Sequence, residues 1–267
     1  MDNNKLLADG RVKDKVAVIT GAGSGIGRAA ALKLAQHGAK IVLVDLINER
    51  SEKVEEAINE MGGEAIFADT DVSDPARVEQ AMKKAAERFG GIDILFANAG
   101  VNGTLAPIEH LKPEDWDQTL GINLKGTFLS VKYALPHMTA RGGSIIITSS
   151  INGSRKFTGF GMSAYSSSKA GQIAFAKMAA LELAHHRIRV NAICPGAIET
   201  NIGQNTNRTP EVDEIAIPIE YPQGNQPLEH GPGHPNQVAD LVLFLASEES
   251  SHISGTAIYI DGVESLL

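Results

Sequence analysis

Val16-Ala17-Val18-Ile19-Thr20-Gly21-Ala22-Gly23-Ser24-Gly25-Ile26-Gly27 decides how the rest of the chain is read. Its first five residues form a short apolar and β-branched run, the pattern of a strand buried on both faces. A helix pattern with Ala30, Leu32, Leu34 and Ala35 follows the glycines, and Gly38 closes it. The next strand, 40–44, ends at Asp45. This is a βαβ unit with glycines at its first turn. Without Cβ atoms, Gly21, Gly25 and Gly27 let the backbone approach a pyrophosphate. The helix N-terminus beyond them offers unpaired N–H groups to the same anion. Strand, glycines, helix, strand and acid in that order mark a dinucleotide site. The spacing here is Gly-x-x-x-Gly-x-Gly rather than the commoner Gly-x-Gly-x-x-Gly.

Composition narrows the function classes. The chain has 267 residues, 43% of them hydrophobic, enough for a sizeable core. A net charge of −8 without a basic tract argues against nucleic acid or an anionic membrane as partner. Cys194 is the single cysteine, so no intramolecular disulfide can form, which suits a reducing cytoplasm. The polar stretch 1–11 lacks the apolar core of a signal peptide. No apolar run reaches the roughly 18 residues of a membrane span. The expectation is therefore a cytoplasmic protein without a membrane anchor. His185, His186, His230 and His234 do not show zinc-site spacing, and no metal is expected.

The strand–helix alternation continues along the chain. Helix signals cover 49–61, a strand 64–68, and Asp71-Val72 lies in the loop at that strand's end. A helix over 75–89 begins with Pro75 at its first turn. A strand over 92–96 runs into Asn98-Ala99-Gly100. The spacing predicts a long helical segment over 113–138 carrying Asn123, with Gly121 and Gly126 making it irregular. A strand over 144–148 ends in Ser149-Ser150, and a helix runs from Ser163 to about 186. Strand 188–193 leads into Cys194-Pro195-Gly196-Ala197-Ile198-Glu199-Thr200. Over 201–235 the pattern dissolves, and six of the eleven prolines fall there. A loop of that length is expected to work as a substrate lid. An amphipathic helix over 237–245 and a strand over 256–260 close the pattern.

Tyr165 and Lys169 stand four apart on one face of the helix that begins at Ser163. A phenol titrates near pH ~10, and a nearby ammonium lowers that value. The pair is suited to moving a proton onto or off a substrate oxygen.

With these motifs in place, the sequence resembles the short-chain dehydrogenase/reductase family from about Lys15 to Gly262. The motifs are Thr20-Gly21-x3-Gly25-x-Gly27, Asp71-Val72, Asn98-Ala99-Gly100, Asn123, Ser150, Tyr165-x3-Lys169 and Pro195-Gly196-x3-Thr200. The resemblance implies a single α/β domain. It would be a Rossmann-like, doubly wound three-layer fold with a parallel sheet of about seven strands and a dinucleotide at their C-terminal ends. It implies Tyr165 as general acid/base and Lys169 lowering its pKa and binding the nicotinamide ribose. Ser150 would hold the substrate oxygen, and Asn123 would position a water in a proton relay. Gly21, Ser24, Gly25, Ile26, Gly27, Asp45, Leu46, Asp71, Val72, Asn98, Ala99 and Gly100 would line the cofactor. Pro195, Gly196, Ile198 and Thr200 would embrace its nicotinamide end. Ser150 is preferred to Ser149 because Ser150-Ile151-Asn152-Gly153 matches the family's Ser-x-x-Gly turn, although the loop before Tyr165 is longer than usual. That loop carries Arg155 and Lys156, read either as steering an anionic substrate or as solvated charges.

Asp45 lies eighteen residues after Gly27, where an acid meets the adenosine ribose, so NAD is expected over NADP. The activity expected is exchange of a secondary alcohol and a ketone. A 3-oxoacyl-carrier-protein reductase is the enzymatic alternative, and a non-catalytic dinucleotide sensor or scaffold is the alternative of another class. Acidic Glu211, Asp213, Glu214, Glu220 and Glu229 against Arg208 weigh against docking an acidic carrier protein. The small-residue helix after Tyr165, apolar nearly all round, suggests a subunit interface, as in the homotetramers common in the family.

Overall fold

The computed structural model describes residues 6–7, 10–221 and 224–267. Most of the 1–11 stretch, together with Pro222 and Gln223 of the expected lid, lies outside them. Seven parallel strands form the main sheet: β1 Val16–Thr20, β2 Lys40–Asp45, β3 Ala65–Asp69, β4 Ile94–Ala97, β6 Gly143–Thr148, β7 Ile188–Pro195 and β9 Ala257–Ile260. Their order is β3-β2-β1-β4-β6-β7-β9. The chain builds outward from β1 to β3, then returns to the other side of β1 with β4. The crevice between the C-terminal ends of β1 and β4 is therefore the topological switch point, where such sheets bind ligands.

Helices cover both faces. Helices α1 Gly25–Gln36, α2 Asn48–Glu60 and α8 Pro235–Ala246 bury Leu34, Ile58 and Leu243 on one side. Helices α3 Pro75–Phe89, α5 Gly126–Ala134 and α6 Ser163–Leu183 bury Met82, Leu129 and Ala176 on the other. Because both faces are covered, all five β1 residues are buried, as their apolar run requires. The three-layer fold expected from the sequence is the one observed.

Local chemistry sets the element ends. Asp74 accepts hydrogen bonds from Ala76 N and Arg77 N at the start of α3, and Gly90 (φ +84°) ends it. Strand β4 starts two residues later than the pattern predicts. Asp93 is instead a buried anchor, accepting from Val16 N and pairing with Arg141.

The expected 113–138 helix is divided into α4 Pro113–Leu120, a π-helical turn Gly121–Lys125, α5, and a 3₁₀ turn Leu135–His137. Gly126 lets this segment approach the loop after β3: a Cβ there would lie 2.9 Å from Val72 Cγ2. Thr127 Oγ1 donates to the Asn123 carbonyl, capturing a group at the irregular turn.

The 201–235 segment is more ordered than its composition predicts. It begins with a 3₁₀ turn at Asn201–Asn205. Strand β8 Thr206–Arg208 then pairs in parallel with β5 Gly103–Leu105, and a short helix α7 Val212–Ile215 follows. Three-residue strands leave no periodicity to read, which is why the sequence does not reveal this second sheet.

Candidate active site

A cleft of about 770 Å³ opens along the C-terminal ends of the strands. Its glycine turn is shaped by steric necessity. Gly21 (φ +66°) and Gly25 (φ +51°) occupy the left-handed region, and a Cβ on Gly27 would lie 2.1 Å from the Gly21 carbonyl oxygen. Gly27 therefore lets the first turn of α1 pack on the Gly21 carbonyl without lining the cleft, whereas Gly21, Ser24, Gly25 and Ile26 line it. At one end, Asp45 accepts from Gly23 N through Oδ2 (2.8 Å) and from Ile47 N through Oδ1 (3.0 Å). Leu46, Asp71 and Val72 line the same end, and Asp71 Oδ1 accepts from Ser73 N and Ser73 Oγ.

Asn98, Ala99 and Gly100 cross the switch point. Asn98 N and Ala99 N donate to Thr20 Oγ1 at 2.9 and 3.0 Å, and Thr148 Oγ1 donates to Asn98 Oδ1 at 3.1 Å. The Asn98 side chain thus joins β1 to β6 while its backbone walls the cleft. Asn123 is fully buried and does not line the cleft. Its side chain accepts from Val101 N and donates to Val101 O, both at 2.9 Å, and donates to Ser168 Oγ at 3.0 Å. It fixes the strand leaving Gly100 to the helix that carries Tyr165. Its carbonyl accepts from Gln172 Nε2 at 2.9 Å.

At the other end of the cleft, Ser150, Tyr165 and Lys169 converge. Helix α6 places Tyr165 and Lys169 one turn apart, and β6 ends at the serines. Ser149 Oγ donates to the Lys169 carbonyl at 2.7 Å, which turns it into the helix. Ser150 Oγ accepts from Asn152 N at 3.2 Å and stands on the Tyr165 side of the turn, where its hydrogen bonding favours the ionised phenol. The Ser-x-x-Gly turn has a steric cause, since a Cβ on Gly153 would lie 2.7 Å from the Lys169 carbonyl carbon.

Burial pushes the Tyr165 phenol up, and the Ser150 hydrogen bond opposes that rise. This corrects the sequence expectation that the Lys169 ammonium sets the direction. Lys169 Nζ lies 5.6 Å from the ring centroid and donates to the Thr148 carbonyl at 2.8 Å. Burial lowers Lys169 itself to about 8. Cys194, beside these groups, is fully buried and its thiol is pushed up by burial. Pro195, Gly196, Ile198 and Thr200 complete the lining, with Thr200 Cγ2 3.1 Å from where a Cβ on Gly25 would stand.

The two readings of Arg155 and Lys156 divide: Arg155 is exposed, and Lys156 is not. Arg155 stacks 3.4 Å from the Tyr259 ring centroid. Lys156 is buried and pairs with buried Glu264 at 3.0 Å, so it is neither a solvated charge nor a free cation. Sequence reasoning missed Glu264, which lines the cleft, because it stands beyond the last recognisable motif. Gln172 was also missed. Its signal is a polar side chain three residues after Lys169, between Gly171 and the apolar Ile173.

The cleft fits a dinucleotide: a turn that side chains would fill, a helix N-terminus, and an acid at the end of β2. With Ser150, Tyr165 and Lys169 at its opposite end, the class defined is a nicotinamide-dependent oxidoreductase. A family model described as enoyl-(acyl carrier protein) reductase matches residues 21–262. Levodione reductase from Leifsonia aquatica is 38% identical over 96% of this chain and 96% of its own. The crystal structure of a 3-ketoacyl-ACP reductase from Sinorhizobium meliloti is 46% identical, with a TM-score of 0.90 over 94% of this chain and 99% of that one. Carveol dehydrogenase from Mycobacterium avium, solved in complex with NAD, is 28% identical with a TM-score of 0.85 over 97% and 100%. The chain belongs to the short-chain dehydrogenase/reductase family. It is an oxidoreductase that interconverts secondary alcohols and ketones using a nicotinamide dinucleotide.

Proposed function

We propose that the protein is an NAD-preferring secondary alcohol–ketone oxidoreductase in which Tyr165 is the proton-transferring group. The observation that carries this reading is the convergence of Ser150, Tyr165 and Lys169 at one end of a cleft whose other end holds the Asp45 carboxylate. Gly21, Ser24, Gly25 and Ile26 would hold the pyrophosphate, Asp45 and Leu46 the adenosine ribose, and Asp71 and Val72 the adenine. Pro195, Gly196, Ile198 and Thr200 would hold the nicotinamide. When bound, the cofactor supplies the acceptor or donor of a hydride at the carbinol carbon. In the reductive direction, Ser150 holds the substrate carbonyl oxygen and the Tyr165 phenol, kept protonated by burial, gives that oxygen a proton as the hydride reaches carbon; oxidation is the reverse and starts from the phenolate. Lys169 contributes positive charge that favours the phenolate and a donor for the nicotinamide ribose. Asn123 holds the backbone on which this geometry rests.

Asp45 favours a ribose 2′-hydroxyl and repels a 2′-phosphate. At about 4 Å that repulsion amounts to roughly 1–4 kcal/mol, depending on the local dielectric. We further propose a single catalytic unit in which 201–235 closes over the substrate, a cytoplasmic location and a homotetramer. Phe128, Met178 and Leu181 on α5 and α6, 45%, 55% and 74% exposed, favour an interface there. A small alcohol or ketone is the partner expected.

A second reading, 3-oxoacyl-carrier-protein reductase, is favoured by the 46% identity to a 3-ketoacyl-ACP reductase. Against it, Arg208 on the lid is already paired with Asp213 at 2.6 Å amid other acids. The test is turnover of a secondary-alcohol panel and a 3-oxoacyl thioester with NAD(H) and NADP(H), for wild type and Asp45→Ala. We expect alcohol oxidation with NAD, and a preference for NAD that shrinks by about tenfold or more in Asp45→Ala. Turnover confined to the thioester supports the second reading. Binding without any turnover supports a dinucleotide sensor.

A further inference from the structure

Along the cleft, the charged side chains among the described residues are Asp45, Arg50 and Asp71 toward β2 and β3, and Lys169 and Glu264 toward the reacting end. Glu264 is 6% exposed and lies in the short 3₁₀ turn Glu264–Leu266. Its Oε1 accepts from Lys156 Nζ at 3.0 Å, and its Oε2 accepts from Ala197 N at 2.7 Å. Lys156 is 9% exposed, does not line the cleft, and sits behind Glu264 with its Nζ 5.9 Å from the Tyr221 ring centroid. The turn is held against the nicotinamide loop because Gly196 has no side chain: a Cβ there would lie 2.7 Å from Glu264 Oε2.

The protein thus carries a buried cation beside the reacting end and covers it with its own carboxylate. A substrate carboxylate arriving here would meet Glu264 first, at a site where Lys156 is already neutralised. Repulsion in a poorly solvated wall is not screened as it is at a surface. Lys169, the other cation at this end, donates to the Thr148 carbonyl.

We propose that Glu264 is a specificity-determining residue that masks Lys156 and restricts the cleft to neutral alcohols and ketones, excluding substrates with a carboxylate near the reacting carbon. The selectivity rests on the assignment of this cleft to alcohol–ketone exchange. The masking of Lys156 does not.

Two measurements separate these claims. The first is the ratio of kcat/KM for 4-oxocyclohexanecarboxylate to that for 4-methylcyclohexanone, which are similar in shape and differ in charge. Glu264→Ala exposes Lys156, and the ratio should rise by about tenfold or more. Glu264→Gln keeps an acceptor for Ala197 N and should raise it in the same direction. The second is thermal melting in sodium formate, with sodium chloride at equal ionic strength as control. Formate should raise the Tm of Glu264→Ala by replacing the missing carboxylate. It should leave wild type and the Lys156→Met/Glu264→Ala double variant unmoved. If wild type turns over neither ketone while the formate response holds, the functional assignment fails and the masking stands. An unchanged ratio in a folded Glu264→Gln overturns the selectivity claim, and a formate response equal in all three proteins overturns the masking claim.

Discussion

Lys169 is charged, 3% exposed and central to the cleft, so function and stability pull in opposite directions at one side chain. Its amine titrates near 10.5 in an unfolded chain and at about 8 here, lowered by burial. Between those values the unfolded chain binds the extra proton, so this group's contribution to stability rises with pH across that window. The penalty is fully present below pH 8, where it is roughly 3 kcal/mol, and is gone above 10.5. Lys169→Met removes the penalty but leaves the Thr148 carbonyl without its donor, at a cost of about 1 kcal/mol. The variant should be about 1–2 kcal/mol more stable than wild type in urea at pH 7 and should lose that advantage by pH 10. No gain at pH 7, or a gain that grows with pH, would contradict this account of the burial. Residues of this kind were legible in the sequence because their chemistry is tied to spacing: Tyr165 with Lys169, and Asp45 at the end of a strand. The pairing of Lys156 with Glu264 was not. They are 108 residues apart, and only the fold brings them together.

Among the elements, the turn after β6 and helix α6 fit together by backbone contact. Gly153 would place a Cβ 2.7 Å from the Lys169 carbonyl carbon and 2.8 Å from Ala170 N, and neither backbone atom can rotate away. Gly153→Ala should therefore push the Ser150 turn off α6. The expected cost is about 1–3 kcal/mol in chemical denaturation, with a larger fall in kcat than in cofactor affinity. Wild-type stability and kcat would show that the turn yields freely. The long helical elements and buried strands could be read directly from their periodicity. The π-helical turn at Gly121–Lys125 was legible only as an irregularity, from Asn123 between two glycines. What sets it lies elsewhere in the chain, in the Val101 backbone, Ser168 and Gln172. The β5–β8 pairing was invisible for the same reason, since two three-residue strands specify each other only once the chain after β7 has folded back onto β5.

For the whole molecule, the seven-strand order follows from connectivity: each βα unit buries its strand on both faces, and the reversal at β1 opens the crevice. No helix among the described residues is long and apolar enough to cross a membrane. The exposed apolar side chains of α5 and α6 instead support the proposed assembly. A charge at Leu181 (Leu181→Glu) should shift sedimentation from tetramer toward smaller species while α6 stays folded. A wild-type protein that sediments as a monomer would remove the basis for that interface. If this cleft exchanges a hydride, the accompanying proton passes through Tyr165. The most direct measurement is reduced-cofactor formation from a secondary alcohol, together with NAD affinity by calorimetry, for wild type and Tyr165→Phe. Tyr165→Phe should bind NAD within about threefold of wild type and lose at least about two orders of magnitude in kcat. Turnover by Tyr165→Phe close to that of wild type would contradict that proton route.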